Sequence, residues 1–280
     1  MSAALREAAS VILLRRAPAG FEVFLVRRRK GASFMASAFV FPGGGAEPGE
    51  DARTAAAREL FEEAGILLAK DDTNDAETLE LPSLAALRKR IQDGANSVNA
   101  LARAGLAWST DVLVPWAHWI TPSLESAALP SADGRERPRF SARFFVCELP
   151  PGQQPQFDDI ETVEQAWVRP IDALAHAKQL ALPPPQVRIC WELAECATID
   201  EVMVAGRARE DEPHPILPRV RTTGDGPCLL LPWDPEYAEG GSGDSAPMAY
   251  RPRWARGPSR FVMEDAAWRH VAAPGSTTPG

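Results

Sequence analysis

Between Gly44 and Ile66 the chain fixes nine positions and two gaps: Gly44, five residues, Glu50, seven residues, then Arg58-Glu59-Leu60-Phe61-Glu62-Glu63-Ala64-Gly65-Ile66. Asp51 is a helix N-cap residue, Gly65 a residue that ends helices, and Ala52, Ala55, Ala56, Leu60 and Ala64 form a mostly small apolar face. A loop followed by a helix is therefore predicted over 50–65. On that helix Glu59 and Glu63 are four apart and Glu59 and Glu62 three apart, which turns all three carboxylates to one side. Such pairs repel by roughly 0.2–0.5 kcal/mol each on an exposed helix. Two adjacent glutamates alone read as a solvated helix face, but a purely structural helix has little reason to gather three. A hard divalent cation, Mg2+ or Mn2+, supplies one, since it prefers oxygen ligands and bridges carboxylates to phosphates.

The spacing Gly-x5-Glu-x7-Arg-Glu-U-x-Glu-Glu-x-Gly-U, with U aliphatic, resembles the Nudix box, and the sequence is similar to the Nudix hydrolases. The resemblance implies an α/β fold, a Nudix-type α/β/α sandwich around a mixed sheet, with the box folded as loop, helix, loop. It implies a metal-dependent enzyme that cleaves a nucleoside diphosphate linked to another moiety, by water attack on phosphorus. Carried over residue by residue, Glu59, Glu62 and Glu63 are the metal ligands, with the Gly45 carbonyl as a further one. Arg58 and Glu50 brace the carboxylates and the loop. Gly43, Gly44 and Gly45 permit close approaches that a Cβ would obstruct. The implied cofactor is Mg2+ or Mn2+.

The flanking sequence builds the rest of the expected fold. Ser10 to Leu14 and Phe21 to Val26 read as a β-hairpin, and Ala38 to Phe41 as another strand. A strand is expected to restart at Ile66. Ala69 to about Thr110 turns polar and helix-favouring after an acidic loop, Asp71 to Glu80, with Leu84, Leu87 and Ile91 at helical spacing; this predicts a helical insert. Val112 to Ile120, Arg143 to Glu148 and Gln165 to Val168 read as strands, Pro170 to Ala177 as a helix, and Val187 onward as one more helix ending before Gly206. The expected organisation is a Nudix domain over 8–200 and a C-terminal extension over 201–280, loop-rich, with one hairpin and a flexible Glu239 to Ser245.

A general base outside the box is expected in Asp158-Asp159-Ile160-Glu161-Thr162-Val163-Glu164, an acidic stretch like the one before the Trp-Val strand of many family members. Glu161 is the candidate, Glu164 its neighbour, and the box glutamates the alternative. For the substrate, Arg27 to Gly44 (RRRKGASFMASAFVFPGG), Trp119-Ile120-Thr121-Pro122, Arg143-Phe144-Phe145 and Leu182 to Pro185 resemble the family branch that includes the mammalian peroxisomal acyl-CoA diphosphatase. That implies hydrolysis of CoA or acyl-CoA to 3′,5′-ADP and (acyl-)phosphopantetheine. Arg27, Arg28, Arg29 and Lys30 then become candidates for the CoA 3′-phosphate, and Trp116, Trp119 and Phe144 for stacking on adenine. Leu25-Val26-Arg27-Arg28 departs from the Leu-Thr-Arg opening of the better-known CoA signature. ADP-ribose, NADH and dinucleoside polyphosphates stay open as substrates, and so does a non-catalytic nucleotide-binding module, against which three crowded carboxylates argue.

With 38 Asp and Glu against 30 Lys and Arg, a net charge of −8 argues against a sequence-independent nucleic-acid binder. The partner expected is a small-molecule nucleotide, with a homodimer compatible with the resemblance. Cys147, Cys190, Cys196 and Cys228 form no CxxC pair, and His118, His176, His214 and His270 lie apart, so neither disulfide scaffold nor zinc site is expected. No run of about 18 apolar residues is present, Ala8 to Leu14 is short for a signal sequence, and the final STTPG carries no peroxisomal address. A cytoplasmic protein with no membrane contact is expected.

Overall fold

The hairpin predicted near the N-terminus extends further than the apolar runs that announce it. β1 (Leu5–Ala17) and β2 (Gly20–Arg28) pair antiparallel, with Leu14 opposite Val23 and Ala17 opposite Gly20. The computed structural model describes residues 4–30, 35–71, 83–122, 138–210, 214–224, 226–239, 249–265 and 267–274. Chain order continues with β3 (Phe39–Val40), β4 (Gly43–Gly45), α1 (Ala52–Ala64), β5 (Ala69–Asp71), α2 (Leu84–Gln92), α3 (Ser97–Ala102), β6 (Leu106–Trp108), a 3-10 turn (Thr110–Val112), β7 (Val114–Ile120), β8 (Arg139–Glu148) and β9 (Thr162–Val168). Then come α4 (Pro170–Ala175), α5 (Pro184–Leu193), α6 (Ile199–Arg207) and four strands, β10 (Arg219–Thr223), β11 (Gly226–Leu230), β12 (Arg260–Glu264) and β13 (Ala267–Val271).

The main sheet has seven strands in the order β3-β2-β1-β8-β7, with β4 joined to β1 and β9 to β2. It is mixed: β1 and β8 run parallel, and the other pairs antiparallel. Alternation along β1 and β2 sends successive side chains to opposite faces. Ile12, Leu14, Val23 and Leu25 pack with Val187, Ile189 and Leu193 of α5 and with Ile199 and Val202 of α6. Val11, Leu13, Phe24 and Val26 pack with Ala55, Ala56, Leu60 and Ala64 of α1. The sheet is thus covered on both faces, as expected of an α/β/α sandwich. The alanine face seats α1 close to the sheet, and that seating sets where its carboxylates stand.

Where element boundaries differ from expectation, local chemistry explains the difference. No strand restarts at Ile66: Ile66 and Leu68 are buried as core anchors in an extended connection, and pairing begins only at Ala69, where β5 meets β6 in a separate two-stranded sheet. Val112 ends a 3-10 turn instead of opening a strand. The single helix expected from Val187 is two, α5 and α6, because the Thr198 side chain accepts from the Glu201 N–H and starts a fresh helix. Gly206 lies inside α6, where a Cβ would come within 2.8 Å of Val114 Cγ1, so glycine lets α6 lie against β7. The segment after α1 holds α2 and α3, whose Leu87, Ile91, Ala100 and Leu101 enclose Phe61 and Leu67 in a small core of their own.

The C-terminal region carries more regular structure than one hairpin. β10 to β13 form a continuous antiparallel sheet, with Cys228 and Phe261 in its two central strands. Phe261 joins the same core as α5 and α6. The expected flexible loop at Glu239 to Ser245 lies outside the described residues except for Glu239, and the acidic loop Asp71 to Glu80 lies outside them except for Asp71. No described helix is long and apolar enough to cross a membrane.

Candidate active site

The Asp51 side chain accepts from the Arg53 and Thr54 N–H groups and opens α1, and Gly65, with φ of 69°, closes it. Between these caps the guanidinium of Arg58, 4% exposed, becomes the hub of the box. Its Nη2 donates to Glu50 Oε2 at 2.9 Å and to the Gly45 carbonyl at 2.8 Å, and its Nη1 to Glu59 Oε1 at 3.0 Å and Glu62 Oε2 at 2.9 Å. One cation therefore faces three carboxylates. Burial alone would pull its pKa down; the Glu50 hydrogen bond and the Glu59 and Glu62 charges reverse that and hold it above the ordinary value.

The carboxylates respond in the opposite sense. Burial pushes Glu59 up from 4.5 to about 7, offset in part by Arg58 and reinforced by Glu62 and Glu161. Burial raises Glu62 also. Glu63, 3% exposed, is raised well above its usual range, first by burial and then by the Glu59 charge. It accepts a hydrogen bond from the Gly43 N–H at 2.9 Å. Carboxylates buried in one place with too few donors carry a desolvation cost that an additional cation would offset.

The glycines make this geometry attainable. A Cβ on Gly43 would collide with the Ser10 side chain and the Ala9 carbonyl, which would part β4 from β1 and carry the Gly43 N–H away from Glu63. A Cβ on Gly44 would stand 2.5 Å from Glu59 Oε2. Gly45 presents its carbonyl to Arg58, so one lone pair of that oxygen is already engaged.

Outside the box the expected residues divide. Glu161 is exposed on its loop, near enough for its charge to add to the raising of Glu59 and Glu63. The loop holding it is fixed by Asp158, whose carboxylate accepts from the Ile160, Glu161 and Thr162 N–H groups and from the Thr162 hydroxyl. Glu164 instead pairs with Arg27 at 2.9 Å. Arg27 also lies over the Phe39 ring, and Arg29 donates to the Asp159 carbonyl, so these two arginines hold β9 and its loop. Arg28 is half-buried at the end of β2, and its charge acts on Glu63. Trp116, Trp119 and Phe144 do not form a stacking surface: at 2%, 4% and 4% exposure they are core under α5 and α6. His118 bonds to Ser141 Oγ, and His270 stacks on Phe261.

Three features had no sequence signal. Arg88 and Gln92 of α2 both donate to the Glu62 carbonyl, tying the segment after α1 to the end of the box helix. Helical spacing could find α2 but not the direction of its polar side chains. The Asp158 turn is the second, and the third is an open cleft of about 630 Å3 beside the box loop, lined by Arg6, Gly45, Glu47, Glu50 and Phe140.

Among the described residues no three His, Cys, Asp or Glu side chains converge as a ready-made metal cage, because Arg58 lies between Glu59 and Glu62. The donor set nevertheless fits a hard cation: the atoms are carboxylate and carbonyl oxygens, and the pKa shifts report too little positive charge.

A carboxylate-rich loop and helix seated on a mixed sheet covered by helices on both faces defines an α/β/α sandwich with an acidic site, and comparison with known proteins narrows that. A NUDIX domain model matches residues 4–86, and the model of the NUDT19 Nudix domain matches residues 47–193. The chain is 30% identical over 230 residues to putative nudix hydrolase 7 of Caenorhabditis elegans, covering 79% of this chain and 70% of that protein. It is 34% identical over 202 residues to the human acyl-coenzyme A diphosphatase NUDT19, covering 67% of this chain and 51% of the human one, about half its length. The crystal structure of a NUDIX hydrolase from Alicyclobacillus acidocaldarius superposes with a TM-score of 0.59 at 24% identity, over 72% of this chain and 96% of that one. The chain belongs to the Nudix hydrolase family and is a Nudix diphosphatase.

Proposed function

We propose that the protein hydrolyses the diphosphate of CoA or acyl-CoA, giving 3′,5′-ADP and (acyl-)phosphopantetheine, with Mg2+ or Mn2+ as cofactor. The observation that carries the metal dependence is the imbalance of the box, one guanidinium against Glu50, Glu59 and Glu62 with Glu63 buried behind them. The substrate reading is supported by the acyl-coenzyme A diphosphatase name borne by the human, frog and chicken relatives. Residues 8–200 are assigned to the catalytic unit and 201–280 to an extension packed on it.

Glu59, Glu62 and Glu63, with the Gly45 carbonyl, would hold the cation. Once bound, it offsets the charge of the incoming diphosphate, polarises the attacked phosphorus and acidifies a water. Glu161 takes the proton of the attacking water; a P–O bond forms on one side as the bridging P–O bond breaks on the other, and the second phosphate leaves. Arg58 holds Glu59 and Glu62 in register, Glu50 fixes Arg58, and Gly44 leaves the space into which the Glu59 carboxylate fits.

A mass-spectrometric panel with Mg2+ tests the reading: CoA, acetyl-CoA, ADP-ribose, NADH and a dinucleoside polyphosphate. The expected products are 3′,5′-ADP and a phosphopantetheine. Turnover of ADP-ribose or the polyphosphate with none of CoA would sink the substrate assignment, and turnover undiminished by chelator would sink the metal.

A further inference from the structure

The basic run at the end of β2 is divided by folding. Arg27 is spent on Glu164 and Phe39 and Arg29 on the Asp159 carbonyl, whereas Arg28 has a buried Nε with no hydrogen-bond partner and no ion pair among the described residues. We infer that Arg28 is the residue that grips the scissile diphosphate beside Glu63, a role distinct from contact with a remote 3′-phosphate. This rests on the diphosphatase reading above.

Strand alternation places it. Phe24 and Val26 lie in the cluster under α1, and Val23 and Leu25 in the cluster on the opposite face. Arg27 pairs with Glu164 and Arg28 with Thr162, so the extra residue of the bulge, Val163, belongs to β9 and β2 keeps its alternation. Arg28 therefore continues the series that faces the box helix. Its charge is felt by Glu63, yet Glu63 takes a hydrogen bond from the Gly43 N–H and the two form no ion pair. A half-buried guanidinium left unpaired is costly, and a planar fork matches two phosphate oxygens. Beside the carboxylates that would hold the cation, Arg28 would supply further positive charge to the phosphoryl oxygens that gain negative charge during attack.

The test compares Arg28→Ala, Arg28→Lys and Arg16→Ala in the full chain. Its readouts are kcat/KM on the substrate the panel returns and calorimetric binding of methylenediphosphonate, a diphosphate that cannot be cleaved. Arg28→Ala is expected to lose about 100-fold in kcat/KM and at least about tenfold in diphosphonate affinity, with partial recovery on adding methylguanidinium. Arg28→Lys, which retains charge without the fork and guards against misfolding of the alanine variant, is expected to fall between. Arg16→Ala, at an exposed arginine paired with Glu148 and Asp200, is expected to stay within about threefold of wild type, a change under about 1 kcal/mol. The inference is overturned if folded Arg28→Ala matches wild type in both readouts, or if Arg16→Ala loses as much. Should the wild type cleave no diphosphate, the function fails, but loss of diphosphonate binding in Arg28→Ala alone would still uphold the arginine's role.

Discussion

Two buried clusters of arginine and glutamate lie on opposite faces of the same sheet, and their balances are opposite. Under α5 and α6, Glu192 accepts from Arg188 Nε and Arg209 Nη1, each at 2.7 Å, and the surplus positive charge is shared with the Arg256, Pro258 and Trp116 carbonyls. The guanidiniums also lie against Trp191, Trp233, Trp116 and Trp254. Burial pushes Glu192 up, but Arg209 and Arg188 more than reverse it and leave its pKa lowered. In the box one arginine serves three carboxylates, and Glu59, Glu62 and Glu63 all rise. Burial is common to both sites. What separates a clamp with surplus positive charge from a site short of a cation is the ratio of charges, read in the direction of the carboxylate shifts.

Glu63→Gln should break the comparison most sharply. Removal of a metal-binding carboxylate is expected to lower kcat/KM about a thousandfold, ~4 kcal/mol of transition-state stabilisation. The same variant should melt above wild type in chelator, since without a metal the buried Glu63 carboxyl must either stay charged in an apolar site or take up a proton on folding, and an amide does neither. Equal activity, or a lower Tm in chelator, would refute the charge-deficit account. Glu192→Leu should do the reverse, losing about 3–5 kcal/mol in urea unfolding because Arg188 and Arg209 are left buried without their counter-ion. The folded fraction should keep kcat within about twofold of wild type, since Glu192 lies across the sheet from the box; a larger drop would mean that the clamp also shapes the active site.

The difference also explains how much was legible in the sequence. The box was readable because its geometry is local: 23 residues from Gly44 to Ile66 contain Gly44, Glu50, Arg58 and the three carboxylates, and helical spacing alone sets their side. The Arg188–Glu192 pair is local too, but Arg209, Arg256 and Pro258 come from distant segments whose meeting depends on tertiary packing. Trp116, Trp119 and Phe144 misled because an aromatic that stacks on a ligand and one that fills a core have the same composition. Arg27, Arg28 and Arg29 are indistinguishable as a run; strand alternation and a bulge on the partner strand separate them. The four-stranded C-terminal sheet reads in the sequence as a hairpin because its two central strands, Gly226–Leu230 and Arg260–Glu264, are far apart in the chain, and nothing local brings Leu229 opposite Phe261.

A smaller perturbation tests whether the carboxylates must sit where they do. Gly44→Ala places a methyl 2.5 Å from Glu59 Oε2, at the far end of a side chain that can move. The fold should tolerate it, with a Tm within about 3 °C of wild type. Activity should not: a displaced Glu59 is expected to reduce kcat/KM about tenfold, ~1.4 kcal/mol, and to raise the Mg2+ concentration needed for half-maximal rate. An unchanged Mg2+ requirement would count against Glu59 as a ligand.

His118 gives the mildest test, because it belongs to a polar line between the two extremes: its Nε2 meets Ser141 Oγ at 2.9 Å, and that hydroxyl reaches Glu7, which Arg143 also holds. Burial, then the Arg143 charge, lowers its pKa from 6.5 to about 4, with Glu7 opposing. The unfolded chain gains a proton near 6.5 that the folded chain refuses until about 4, so the stability this histidine contributes is complete above 6.5 and drains away as pH falls through that window. His118→Gln retains an amide for Ser141 and has no proton to refuse. Between about pH 7 and pH 4.5 its Tm should therefore fall less than that of wild type, by an amount worth under ~1 kcal/mol after solvent screening. Parallel melting curves for the two proteins would mean that Glu7 compensates fully.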